Sequence, residues 1–130
     1  MEWSVIVKKE LSFSLLEIGA AWVGKDLLLC INGGSRPHIG SAVLSQPRPS
    51  LTGDGTISAT SSVMNLTGHK DEFICRKIGE NLCRSLNTTV ICTGGFHVDG
   101  ITREQIREVT DAADALAREL KGKLWCPILR

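Results

Sequence analysis

Each of the three histidines of this chain falls in a glycine-containing corner. The first corner is Asn32-Gly33-Gly34-Ser35-Arg36-Pro37-His38-Ile39-Gly40 and the second is Thr67-Gly68-His69-Lys70-Asp71. The third is Gly94-Gly95-Phe96-His97-Val98-Asp99-Gly100. Glycine lets the chain turn and lets a ligand approach the backbone, while histidine, arginine and lysine bring titratable or permanent charge. Three chemistries are open to such a set. For an anion, the N–H groups of Gly68, His69 and Lys70 open an expected helix, where unpaired donors and the dipole favour negative charge. Lys70 adds a full charge and Arg36 a planar fork suited to phosphate. Asp71 stands in the same turn, so helix capping accounts for these residues as well as a phosphate site does. For a metal, His97 and Asp99 would share one face of a strand, but no spacing requires His38 and His69 to join them. For covalent catalysis the nearest nucleophiles, Ser35 and Cys92, have no motif around them. Gly33-Gly34 has neither the Walker nor the Gly-x-Gly-x-x-Gly spacing. A binding site is therefore expected in preference to an enzyme, with Gly34, Arg36, His38, Gly40, Gly68, His69, Lys70, His97 and Asp99 as its candidates.

The elements that must position these corners can be read in order. Trp3, Val5 and Val7 alternate with polar residues, which predicts a strand over Glu2 to Lys9. Phe13 to Val23 and Lys25 to Ile31 follow as two strands joined by a hairpin at Gly24-Lys25-Asp26. Both are apolar on two faces and belong in the middle of a sheet. A fourth strand is expected from His38 to Ser45, then an exposed connection over Gln46 to Gly55, rich in Pro, Gly and Asp. That connection reads as a solvated loop, a flap over a ligand or a docking arm. Thr56 to Leu66 returns as the fifth strand. Ile74, Ile78, Leu82 and Leu86 mark a helix from Lys70 to Leu86, with Glu72–Arg76 and Glu80–Arg84 on its wet side and Asn87 as its stop. Thr88 to Thr93 is a short sixth strand. Thr102 with Gln105 has the signature of a capping box opening a second helix, with Ile101 stapled to Ile106. Its stripe is Ile106, Val109, Ala113, Leu116 and Leu120, with Gly122 at its end and Arg107–Asp111 and Asp114–Arg118 facing solvent. The order βββββαβα predicts an α+β fold: a mainly antiparallel sheet of about six strands with two helices packed on it.

Composition narrows the function further. At 130 residues the chain is read as a single domain, 1–130, large enough for its own core. A net charge of +1 and an aromatic content of 5% give no field or stacking surface for nucleic acid and none for a membrane. No basic start followed by an apolar run marks a signal peptide, and nothing approaches ~18 consecutive apolar residues, so a cytoplasmic location is expected. The five cysteines form no Cys-x-x-Cys, and four of them, Cys30, Cys75, Cys83 and Cys92, sit in apolar patterns as small buried side chains of a reducing compartment. The apolar tail Trp125 to Leu129 and the edge left by a sheet of hairpins point to a homodimer.

Pro37-His38-Ile39-Gly40, Gly68-His69-Lys70-Asp71 opening a helix, and Gly95-Phe96-His97-Val98-Asp99 before a Thr-capped helix resemble, in that order, the LpdD-like family of prenylated-flavin chaperones. Those small D subunits accompany UbiD-type hydroxyarylic acid decarboxylases such as gallate decarboxylase. The resemblance runs from about Gly33 to Leu120 and departs from the family at Phe96 and Gly100. It implies binding of reduced prenylated FMN, delivery to or protection for the large decarboxylase subunit, and no turnover by this chain. The family's motif positions carry over to His38, Gly40, His69, Lys70, His97 and Asp99. Two other expectations stand beside it: an assembly or docking module with no small ligand, and a metal-dependent hydrolase using His38, His69, His97 and Asp99.

Overall fold

The computed structural model describes residues 1–66 and 72–125. In chain order it has β1 (Val5–Glu10), β2 (Leu15–Val23), β3 (Asp26–Gly34), β4 (Ser41–Pro49), β5 (Ile57–Asn65), α1 (Glu72–Leu86), β6 (Val90–His97) and α2 (Arg103–Leu124). The expected order and α+β class are met. The strands form one sheet in the order β1-β2-β3-β6-β4-β5. All neighbours are antiparallel except β3 and β6, which run parallel from Leu27↔Val90 to Gly34↔His97.

Both helices cover one face, α1 over β4, β5 and β6, and α2 over β1 and β2. Alternate residues of the strands point into that layer: Val7, Leu16, Ile18, Ala20, Leu27, Leu29, Ile31, Val43, Val90 and Cys92 are buried. Ile78, Leu82 and Leu86 of α1 and Val109, Ala113, Leu116, Leu120 and Leu124 of α2 meet them. Burial of this set, at roughly 1.5–3 kcal/mol per large side chain, is the main force holding the layers together. The expected terminators act as read at two places: Asn87 takes the left-handed conformation (φ 50°) after α1, and Thr102 with Gln105 forms a complete capping box.

Several boundaries differ from the expectation. β1 begins at Val5, and Trp3 leaves the alternation. β3 and β6 run on through Gly34 and His97, since each supplies the other's hydrogen bonds. β4 begins at Ser41 and continues through Pro47 and Pro49, so the connection to β5 is only the turn after Pro49. β6 pairs with β4 only from Ser41 to Ser45, so beyond Ser45 that side of β4 has no strand partner and a proline's missing N–H breaks no ladder. α2 passes through Gly122 because one more turn buries Leu124. Ile106 is 48% exposed and lies outside the core, so no staple to Ile101 buries it. Glu72 accepts from Asn65 Nδ2 at 2.9 Å, and Asp114 ties α2 to Lys77 of α1 at 3.2 Å. The tail beyond Trp125 lies outside the described residues.

Candidate functional site

Two of the three corners converge. The parallel pairing of β3 with β6 places their C-terminal ends side by side, so Gly34 lies opposite His97. Gly34 has φ +81°, and a Cβ there would overlap the His97 carbonyl, so only glycine serves. Ser35 N–H donates to His97 O at 2.8 Å and its hydroxyl donates to the same atom at 3.3 Å. The loop then carries Arg36 and His38 over the end of β6.

Asp99 is the hub of the polar cluster. It accepts from His97 Nε2 at 2.8 Å through Oδ1 and from an Arg36 guanidinium nitrogen at 2.5 Å through Oδ2. These bonds, first His97 and then Arg36, hold the Asp99 carboxyl below its ordinary range. Both members of the Arg36–Asp99 pair are exposed, with side chains 68% and 70% accessible, so the pair contributes little and is easily exchanged. The His38 ring stands 6.1 Å from the His97 ring, edge to face at 86°. His38 Nδ1 lies 3.0 Å from Arg36 O; a carbonyl only accepts, so Nδ1 carries the proton.

Gly40 is buried, and its N–H donates to Gly94 O while its carbonyl accepts from Leu66 N–H, both at 2.9 Å. It joins β4 to the sheet, and its amide is committed there. Of the candidates, Gly34, Arg36, His38, Gly40, His97 and Asp99 are therefore brought to one corner. Gly68, His69 and Lys70 lie outside the described residues, although the flanking Leu66 is anchored to Gly40. Among the described residues no group of three or more His, Cys, Asp or Glu is placed to hold a metal ion. Cys92 lies on the helix-covered face, where burial pushes its thiol well up. No helix among the described residues is long and apolar enough to cross a membrane.

A cavity of about 390 Å³ opens beside this cluster on the face away from the helices. His38 and Pro37 line it, together with Trp3, Ile6, Gly19 and Cys30, which the motifs did not mark. The only hint of it in the sequence is Gly19, a glycine inside a strand, which signals close approach of another group.

A mixed sheet with both helices on one side carries a polar, glycine-built corner at a strand end. The model of the prenylated flavin chaperone LpdD-like domain matches residues 13–125, and the chain belongs to that family. It is 33% identical over 100 residues to Protein LpdD of Lactiplantibacillus plantarum, covering 75% of this chain and 68% of that protein. In fold it resembles a chain in the crystal structure of a chaperone complex for yeast 20S proteasome assembly, with a TM-score of 0.56 and 10% identity over 93% of this chain and 98% of the other. That likeness is one of architecture.

Proposed function

We propose that this chain is a non-catalytic accessory protein that binds reduced prenylated FMN and delivers it to, or protects it for, the large subunit of a UbiD-type decarboxylase. The observation that carries the reading is the meeting of Arg36, His38, His97 and Asp99 at the end of the parallel pair, beside an open cavity. Prenylated FMN is a flat, largely apolar ring system with a phosphate tail, so it requires an anion corner next to an apolar hollow. Lys70 and the Gly68-His69 amides take the phosphate, and Arg36 assists by leaving Asp99. His38 and His97 flank the ring or its polar edge. Membership of the prenylated flavin chaperone LpdD-like family supports the ligand class.

Anaerobic titration with reduced prenylated FMN and with FMN tests the reading. Tighter binding of the prenylated form and a loss of roughly tenfold or more in Lys70→Ala are expected, since charge-assisted phosphate contacts contribute about 1.5–3 kcal/mol. Equal binding by Lys70→Ala and the parent removes Lys70 from the site. The protein acts in the cytoplasm as a homodimer. Of the two outer strands, β1 carries Lys8, Lys9 and Glu10 whereas the nine residues of β5 carry no charge, so β5 is the edge suited to self-pairing. Ser62→Lys should then shift the sedimentation coefficient to that of a monomer.

The exposed Leu44, Met64 and Ile91 favour a second reading, a module that docks proteins without a small ligand. A yellow or fluorescent molecule copurifying with the chain separates the first reading from the second.

A further inference from the structure

The cavity on the open face has a construction of its own. Ser4 N–H donates to Ala20 O at 2.7 Å and Ser4 Oγ accepts from Trp22 N–H at 3.4 Å, pinning the chain next to Trp3 against β2. A Cβ on Gly19 would come within 3.0 Å of Trp3 Cδ2 and Cε3 and 3.2 Å of Cε2. Three ring atoms at nearly one distance mean that the indole lies flat on the strand at Gly19. The indole is still 46% exposed. Pro37, His38 and Ile39 form the opposite wall, and the floor between the walls is made by the small residues Gly19, Cys30 and Gly94. Glu17 and Asn32, direct cross-strand partners, close the cavity with an acceptor and an amide donor.

We propose that this groove is the berth of the flavin's ring system, with the Trp3 indole as its aromatic wall. The assignment rests on the flavin-binding reading above and adds where the rings lie. A low floor between an indole and a proline–histidine–isoleucine wall suits a flat ring system whose faces are apolar. The pyrimidine edge of a flavin presents carbonyl oxygens on either side of an N–H, which the Asn32 amide and the Glu17 carboxylate complement. His38 belongs both to this groove and to the cluster around His97, so rings seated here leave the phosphate tail on the Arg36 side. The neighbouring depression beyond Trp3 is lined by Met1, Glu2, Trp3 and Ala21 and carries no arginine or lysine side chain.

Reduced prenylated FMN and FMN are titrated anaerobically into the full chain, Trp3→Leu and Trp3→Phe, with inorganic phosphate as competitor. In parallel, alkylation of Cys30 by N-ethylmaleimide is followed by peptide mass spectrometry with and without ligand. Trp3→Leu should bind prenylated FMN roughly tenfold more weakly, as expected for loss of one aromatic stacking partner, and Trp3→Phe should recover most of the loss. Competition by inorganic phosphate should be equal in parent and variants, and bound flavin should slow Cys30 labelling in the parent. Flavin binding that is equal in the parent and Trp3→Leu, with Cys30 labelled at one rate throughout, overturns the groove while leaving the flavin-binding reading standing. A parent chain that binds no flavin overturns both.

Discussion

The two faces of the sheet are built from alternate residues of the same strands, and they treat their carboxylates differently. On the helix-covered face, Ser45 Oγ and Ser61 Oγ lie 2.8 Å apart, Ser61 donates to Glu80 Oε2 at 2.5 Å, and Arg76 Nε reaches the same oxygen at 3.2 Å. The Glu80 side chain is 22% exposed, and its bonds join β4, β5 and α1 where water has little access. At the rim of the open face, Asp99 is bonded by two side chains as well, yet it is 70% exposed. A shielded network of this kind holds elements together, because removing one member strands the others without water. An exposed one orders side chains cheaply and can surrender them to a ligand. The shielded network is therefore suited to stability, and the exposed one to the proposed exchange with a ligand.

The largest effect that would sharpen this contrast is on the covered face. Leu29→Ala, at a fully buried position, should lose about 2–5 kcal/mol in urea unfolding. Gly34→Ala comes next, at about 2–3 kcal/mol, because it forces a positive φ on alanine. It should also disorder the His97 side of the corner and weaken ligand binding. Unchanged binding in Gly34→Ala would break the link between backbone and site. Glu80→Ala should cost about 1–2 kcal/mol by removing the acceptor that the Ser61 hydroxyl and Arg76 Nε share, with flavin affinity intact.

Asp99→Asn should have the smallest effect on stability and a visible one on binding, since it releases Arg36 from its present partner. The Asp99 carboxyl is held below its ordinary range in the folded chain. Its contribution to stability is therefore complete above the unfolded carboxylate range and is lost as pH falls through the depressed folded value. Parent and Asp99→Asn melting temperatures should differ slightly at neutral pH and converge in strong acid. A difference that grew towards acid would contradict the assignment of Asp99 as the acceptor.

Much of this was legible before the fold was known, for local reasons. Gly34 and His97 stood out as glycine–histidine corners, and Thr102 with Gln105 announced a helix start that involves only four consecutive residues. Trp3 was not legible as part of the groove. Alternation groups it with Val5 and Val7, but the strand begins only at Val5, and the indole crosses to the face of Gly19. Pro47 and Pro49 pointed to a loop, since nothing local shows that β6 stops pairing at Ser45 and leaves the proline edge unpartnered.

By itself the sequence determined the order and type of the elements, their caps and the residues able to do chemistry, because periodicity and capping act over a few neighbouring positions. Only the tertiary structure decided that β6 inserts between β3 and β4, parallel to one and antiparallel to the other. That choice is a competition among strand edges far apart in the chain, settled by which pairing buries Leu29, Cys92 and Val43 together under the helices. It sets His97 and Asp99 against Arg36 and His38, and so brings two separate corners together as one candidate site.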